Sequence, residues 1–437
     1  MANVYDRWHK TLPNPDDAEC PEHKGKTPTA EHGIGKRWQV RYRDPRGNQK
    51  KENFVKRAQA EERATRIEAD HYQGAYIELS AGRTTVAEHA AAWLASSTAA
   101  PTTVERYERD IRNHIVPTLG GYELRKLTKP STIQAWIKAQ HDEHFEPTTI
   151  RSHLSLLVSI LDSAIADGLI AKHPARGKSI KVPASAKKRA RAWPLQQVHA
   201  VIAGLPPRFR AGGSLAFGCG LRQGEVFGFS EADIDFAAEE INVNQQIRIV
   251  SNQLVLARPK GNKVRKVPLS ASLSKTLREH LERFPPTKVT LPWDAPGGEP
   301  RTSRLLFTTK AGQAYHRSVF NMGDWKRALV AAGVIPPRAK GVKYFESAPE
   351  DGMHALRHTY ASVLLDAGES IRALSEYLGH SDPGFTLRVY THMMPSSASR
   401  TRSAIDAVLN PGAPMANLLG TPTEISACEC PGCALAA

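Results

Sequence analysis

A basic stretch that contains no acidic residue most limits how this chain can fold. From Lys172 to Trp193 it carries eight cationic residues (Lys172, Arg176, Lys178, Lys181, Lys187, Lys188, Arg189, Arg191), with Pro174 and Pro183 inside it and Pro194 directly after. The prolines interrupt any helix there, and the run reads as an interdomain linker. With 437 residues and 41% hydrophobic content the chain also exceeds what one core usually organises. Two or three domains joined by a linker at 177–193 are expected.

Charge identifies the kind of partner. Fifty-nine Lys+Arg against 44 Asp+Glu give a net charge of +15, which favours a polyanion, because each neutralised phosphate releases condensed counterions. No apolar run is long enough for a membrane span, and no signal-peptide core follows Met1-Ala-Asn-Val-Tyr-Asp-Arg-Trp. Nucleic acid is therefore the expected polyanion, and a cytoplasmic, nucleoid-associated location the expected place. Five cysteines, an odd number with Cys20 and Cys219 isolated, argue against a secreted disulfide framework. Cys428, Cys430 and Cys433 could join Cys20 and His23 around zinc, but nothing in the sequence brings the two ends together, and a tail with free thiols is the better reading.

Residues 1–33 are polar and without sustained periodicity, an irregular arm. Trp38-Gln-Val-Arg-Tyr-Arg then alternates, turns at Asp44-Pro-Arg-Gly47-Asn48 and resumes at Lys51, which predicts a β-hairpin with a helix beginning near Ala58. Nine basic and two acidic residues lie between Lys36 and Arg57; Arg41, Arg43, Arg46 and Lys50 are the candidate phosphate contacts there, and Lys187, Lys188, Arg189 and Arg191 in the linker. Residues 82–176 read as four helices. Thr85-Val-Ala-Glu88 and Thr102-Thr-Val-Glu105 are capping-box patterns, Pro117 closes the second segment, and Ile150, Leu154, Leu157 and Leu161 form the stripe of the last. Residues 194–410 are mixed: helices near 195–204, 211–229, 271–283, 315–332, 353–367 and 370–378, strands between Ile241 and Leu269, and long loops at Phe284–Arg304 and Ile335–Asp351. Residues 411–437 form a tail.

The chemistry-bearing residues fall in the mixed segment. Gly220-Leu-Arg222-Gln-Gly-Glu225 places an arginine where a helix opens, with a glutamate one turn on to steady the helix end or the arginine. His354-Ala-Leu-Arg357-His358 sets a base and a second cation on one helix face. The pair His354 and His358 also has zinc-ligand spacing, but Ala355 stands where a metalloprotease needs its general base. Gly379 ends a helix and leaves His380 in the turn; Tyr390 follows ten residues after His380. Lys260, in Arg258-Pro-Lys-Gly-Asn-Lys-Val-Arg-Lys, lies between two strand patterns, with Lys263, Arg265 and Lys266 competing for any role assigned to it. Phosphoryl transfer by a side-chain nucleophile needs cations on the nonbridging oxygens, a proton acceptor and an acid for the leaving oxygen, and these residues offer each.

Together these motifs resemble the tyrosine site-specific recombinases of the phage and integrative-plasmid integrase family. The resemblance implies a multidomain α+β chain: a three-stranded sheet plus helix at 34–78 as arm-type DNA-binding domain, an all-helical core-binding domain at 82–176, and a mainly helical catalytic domain with a small antiparallel sheet at 194–410. It implies that Tyr390 attacks the scissile phosphate to give a 3′-phosphotyrosine. Lys260 protonates the leaving 5′ oxygen, Arg222 and Arg357 clamp the phosphate, and His354 and His380 handle protons or hydrogen-bond. Neither metal nor other cofactor is implied, since the phosphodiester energy is kept in the protein linkage. The partners it implies are double-stranded attachment sites, a homotetramer on paired DNA, and an excisionase and a DNA-bending protein as accessory factors. A type IB topoisomerase and a nonenzymatic DNA-binding regulator are the other two readings.

Overall fold

A computed structural model describes residues 2–44, 47–72, 82–184 and 191–390, with isolated positions beyond. The chain divides into two compact units, Met1–Ala186 and Lys187–Ala437, the break falling inside the acid-free stretch. Of the residues singled out above, Arg46, Lys187, Lys188, Arg189 and the three tail cysteines lie outside the described residues.

The first unit opens with a three-stranded antiparallel sheet in the order β1 (Asn3–Asp6), β2 (Trp38–Arg43), β3 (Gln49–Phe54), followed by α1 (Arg57–Tyr72). β1 comes from the segment expected to be irregular. Only four residues long, it is held by register with β2 (Val4 opposite Val40) and not by any pattern of its own. Strand alternation sends Val40 and Tyr42 toward Ala60, Ala64 and Ile67 of α1, and leaves Arg41 and Arg43 exposed. Lys50 is placed differently from Arg41 and Arg43. It stands opposite Tyr42 and so shares the helix-covered face, whereas Lys51, opposite Arg41, takes the outer one.

The helical part comprises α2 (Val86–Ala95), α3 (Pro101–Asp110), α4 (Val116–Leu119), α5 (Pro130–Asp142) and α6 (Pro147–Ala166). The Thr85–Glu88 capping box is present. The one expected at Thr102 is not, because Pro101 starts α3 and draws Thr102 into its first turn. Pro117 does not end its segment either: a π-turn at Ile111–Ile115 carries α3 into α4 and accommodates the missing N–H. Ile115, Leu119, Ile133, Trp136, Ile150, Leu157 and Leu161 fill the core of this bundle.

The second unit runs α7 (Leu195–Gly204), α8 (Pro207–Gly218), α9 (Gln223–Phe227), β4 (Ile234–Asp235), β5 (Glu240–Val243), β6 (Gln246–Val250), β7 (Gln253–Ala257), β8 (Arg265–Pro268) and α10 (Ala271–Arg283). It continues through β9 (Thr287–Pro292), β10 (Pro300–Leu305), α11 (Arg317–Phe320), α12 (Lys326–Ala331), α13 (His354–Asp366), α14 (Ile371–Leu378) and α15 (Pro383–Tyr390). β4, β5 and β8 form one antiparallel sheet; β6–β7 and β9–β10 are separate hairpins. β9–β10 overturns the loop expected over Phe284–Arg304. Thr287-Lys-Val-Thr-Leu alternates correctly, Thr290 and Thr302 join across the strands at 2.7 Å, and Pro292 and Pro300 stand opposite each other at the turn end. The main core gathers Trp193, stacked on Trp325 at 6.2 Å between ring centres, with Phe209, Phe227, Phe307 and Phe320. A smaller cluster of Tyr360, Ala361, Leu365, Leu374, Leu378 and Tyr390 packs α13, α14 and α15 together.

Candidate active site

The site is built where helix ends meet. α8 stops at Gly218 and the chain turns through Gly220 at φ +63°, where a side chain would strike the Tyr360 ring at 2.5 Å. That turn makes Arg222 the residue that opens α9, with its backbone N–H donating to Glu225 Oε2 at 2.8 Å and its Nη1 to Glu225 Oε1 at 3.0 Å. Glu225 is fully buried and also receives both ends of the Arg265 guanidinium, at 3.0 and 2.7 Å. Burial would raise its carboxyl, but the hydrogen bonds and charge of Arg265, with Arg222 beside it, hold it at about 2. Arg265 is therefore no rival of Lys260 as an acid. It is a buried strut whose Nε also donates to the Tyr377 carbonyl at 2.6 Å, fastening β8 to the end of α14.

Arg357, on the first turn of α13, is 1% exposed. Its Nη1 donates to the Gly220 carbonyl at 2.5 Å, and its Nη2 to the Leu378 carbonyl and to His380 Nε2, the last at 3.2 Å. Its buried Nε has no partner among the described residues. Burial first, then the neighbouring Arg222 charge, lower it to about 9, which leaves it cationic at neutral pH. Since arginine can only donate, His380 Nε2 is the acceptor. Nδ1 then carries the proton and donates to Thr386 Oγ1 at 2.7 Å. Burial and the Arg357 charge push His380 down to about 3, which keeps this neutral tautomer. Gly379, left-handed at φ +61° and pressed against the Arg265 side chain, makes the turn that delivers His380.

Tyr390 ends α15 and is 1% exposed. Its hydroxyl lies 2.9 Å from His358 Nδ1. His354, the expected acceptor of the tyrosine proton, instead stacks edge-on against the His358 ring at 4.6 Å. Burial, then His358 and Arg357, lower His354 to about 4. Burial raises Tyr390, and Arg357 and Arg222 partly counter it. His358 was legible as a neighbour of His354 at i, i+4; its contact with Tyr390 depends on how α15 packs and has no sequence signal.

The structure thus joins Arg222, Glu225, Arg357, His380 and Tyr390 with His354 and His358, and Lys260 takes no part in these hydrogen bonds and ring contacts. Lys260 is exposed in a tight turn, with Gly261 at φ +75°, between β7 and β8. Those strands pair with β6 and β5, so the turn is a crossover and not a hairpin end. The same loop touches the site through Lys263, whose Nζ donates to the His380 carbonyl at 3.1 Å. Lys266 is engaged by Glu240 at the surface. Arg41, Arg43 and Arg191 are exposed.

Two family models match: the phage integrase family over residues 196–396, and the phage integrase N-terminal SAM-like domain over 85–140. A XerC-like tyrosine recombinase of Caldanaerobacter subterraneus is 28% identical over 321 residues, covering 68% of this chain and 75% of the relative. The integrase of Mycobacterium phage D29 is 24% identical over 324 residues, 74% of this chain and 77% of its own. Among solved structures, the Tn1549 transposon integrase in complex with transposon right end DNA superposes with a TM-score of 0.60 at 20% identity, over 74% of this chain and 99% of that one. A lambda integrase dimer bound to a core site gives 0.50 at 17% identity, over 80% and 91%.

Proposed function

Because this chain belongs to the phage integrase family of tyrosine recombinases, we propose that Tyr390 is the nucleophile with which it cuts and rejoins DNA at specific sites. The enzyme is a DNA strand transferase acting in site-specific recombination. Relaxation without specific sites and nonenzymatic regulation were the other readings, and the relatives above are recombinases and integrases.

The observation that carries the assignment is the contact between the Tyr390 hydroxyl and His358, from the helix that also bears Arg357. A buried tyrosine resists ionisation, so it needs an acceptor in contact and cations nearby. His358 Nδ1 takes the proton as the Tyr390 oxygen bonds to phosphorus. The bond to the 5′ oxygen breaks, that oxygen takes a proton from Lys260, and the 3′ phosphate stays on the tyrosine. Arg222 and Arg357 hold the nonbridging oxygens, the Arg357 Nε–H, without a partner among the described residues, offering one of the donors. Neutral His354 and His380 orient their neighbours without adding charge. The 5′-hydroxyl of a partner strand then reverses the step.

Residues 34–78 serve as an arm-type DNA-binding domain through Arg41, Arg43 and the outward Lys51, and the SAM-like match at 85–140 supports core-site binding by 82–176. The active assembly is a homotetramer on paired duplex sites, with an excisionase and a DNA-bending protein as accessory partners. No helix among the described residues is long and apolar enough to cross a membrane, and the nucleoid is the proposed place of action.

The test is a nicked core-site substrate that loses its 5′-hydroxyl by diffusion. The wild type accumulates as a covalent complex, while Tyr390→Phe binds equally and accumulates none. Covalent trapping of the Phe variant would overturn the assignment.

A further inference from the structure

Residues 7–37, the connection from β1 to β2, hold their shape with almost no apolar core. Between residues 2 and 38 only His9 and Cys20 are buried; Leu12 and Ile34 point into solvent. A connection this long does not order itself around two side chains, because fixing each residue costs about 1–2 kcal/mol of conformational entropy. The two buried residues are of metal-ligating types, and two more ligands converge on them. His9, Cys20, His23 and His32 each present one ligand atom, and all four atoms lie within 4.8 Å of one another.

We propose that these four residues bind one zinc ion, a closed structural site in the amino-terminal domain. Geometry carries the proposal. Cys20 Sγ lies 3.5 Å from His23 Nδ1 and 3.2 Å from His32 Nε2, and the two ring nitrogens are 3.4 Å apart. Tetrahedral zinc, with bonds of about 2.3 Å to sulfur and about 2.0–2.1 Å to nitrogen, requires edges of about 3.6 Å for S···N and about 3.4 Å for N···N. Three ligand atoms therefore already stand as one face of such a tetrahedron.

The fourth ligand is His9 Nε2, which is buried and has no hydrogen-bond partner among the described residues. Its other nitrogen, Nδ1, donates to Asp6 Oδ2 at 2.9 Å, and Arg37 and Lys26 hold that carboxylate in turn. The bond fixes the proton on Nδ1 and leaves a lone pair on Nε2, the outer-shell arrangement that orients histidine toward zinc. The backbone preorganises the rest. Cys20 N–H closes on the Lys26 carbonyl at 2.6 Å through a turn with Gly25 at φ +72°, and His9 bridges to Pro28, bringing the Cys20–His23 loop alongside β1. Four protein ligands leave no open position, so the ion is structural, and a mixed thiolate–imidazole tetrahedron selects zinc over calcium or magnesium.

Zinc content of the full-length chain, purified without a histidine tag, tests this by elemental mass spectrometry. About one zinc per chain is expected in the wild type. It should be retained in Cys428→Ser/Cys430→Ser/Cys433→Ser and lost in Cys20→Ser/His32→Ala. Should the latter fold poorly, cobalt substitution of the wild type reads the site directly, through a thiolate-to-cobalt charge-transfer band with the d–d bands of a tetrahedral ion. EDTA should release the ion while leaving covalent trapping on a nicked core site unchanged. A metal-free wild type that takes up no zinc, stoichiometric binding of another metal in its place, an octahedral cobalt spectrum, or zinc that follows the tail cysteines would each overturn the proposal.

Discussion

Replacing Glu225 by glutamine changes one oxygen to an amide, yet it should cost the catalytic unit about 3–5 kcal/mol. The carboxylate accepts four hydrogen bonds, from the Arg222 backbone, the Arg222 side chain and both ends of Arg265, and the Glu225 and Arg265 side chains are only 0% and 3% exposed. A glutamine amide would turn N–H groups toward guanidinium N–H groups and leave Arg265 as an uncompensated buried charge. Titration gives a second route to the magnitude. A carboxyl held at about 2 against an ordinary 4.5 has its charged form favoured by about 3 kcal/mol. Because the folded value is depressed, that stability is fully present above pH 4.5 and fades as pH falls toward 2. Thermal unfolding of the catalytic unit should accordingly shift down by roughly 6–20 °C at pH 7. The gap to wild type should narrow below about pH 4.5, since glutamine does not titrate. Replacing Glu225 and Arg265 together by leucine should recover much of the loss, because no charge is then stranded. A gap under about 1 kcal/mol at pH 7, or one that stays constant down to pH ~3, would refute the reasoning.

Two further outcomes bear on the division of labour. A substrate with sulfur in place of the 5′ bridging oxygen needs little protonation on leaving, so it should rescue Lys260→Ala far more than Arg222→Ala or Arg357→Ala, each of which should cost on the order of 10²-fold in cleavage; rescue of Lys263→Ala instead would move the acid to the residue that touches the His380 carbonyl. A chain beginning at residue 80 should keep core-site binding and cleavage but lose a second set of binding sites, and identical footprints for whole and shortened protein would show that the amino-terminal sheet reads no sequence of its own.

Much of the candidate site was legible because its positions are fixed by local rules. Gly220 and Gly379 end helices, Arg222 opens one, and His354 and Arg357 share a face, all within a few residues of chain. Arg265 was read as a competitor of Lys260, although the alternation Arg265, Val267 already put it on the buried face of β8. Its partner Glu225 lies 40 residues earlier, and pairing over that distance is set by how β8 meets α9. His358 was missed for the same reason: its role depends on where α15 lays Tyr390. β1 could not be read at all, since a four-residue strand gains its hydrogen bonds from β2 across the long connection of residues 7–37. Lys50 lies opposite Tyr42 and Lys51 opposite Arg41, and a step of one residue is enough to invert a strand position, so the register that separates the two lysines was not legible from charge alone.

The two clamp arginines of the proposed mechanism are not equivalent, and the difference explains why so much charge is stored in one place. Arg357 gives three donors to the Gly220 carbonyl, the Leu378 carbonyl and His380, so it is as much a strut between helix ends as a ligand for phosphate. Arg222, with its side chain 21% exposed, stands at the open edge of the Glu225 network and can meet substrate without rearrangement. His354 and His380, held at about 4 and about 3, are neutral at physiological pH. Three guanidiniums, those of Arg222, Arg265 and Arg357, against the one carboxylate of Glu225 therefore leave two net positive charges. A phosphodiester brings one negative charge, and attack by the tyrosine oxygen brings the five-coordinate phosphorus centre to two, while the proton the tyrosine loses stays in the site on His358. Negative charge on the phosphoryl oxygens thus grows beside guanidiniums already in place, so their interaction is stronger in the transition state than in the ground state, which is the condition for binding energy to accelerate the step. In the free protein the unmatched charge is a cost, visible in the lowering of Arg357 by burial and by Arg222.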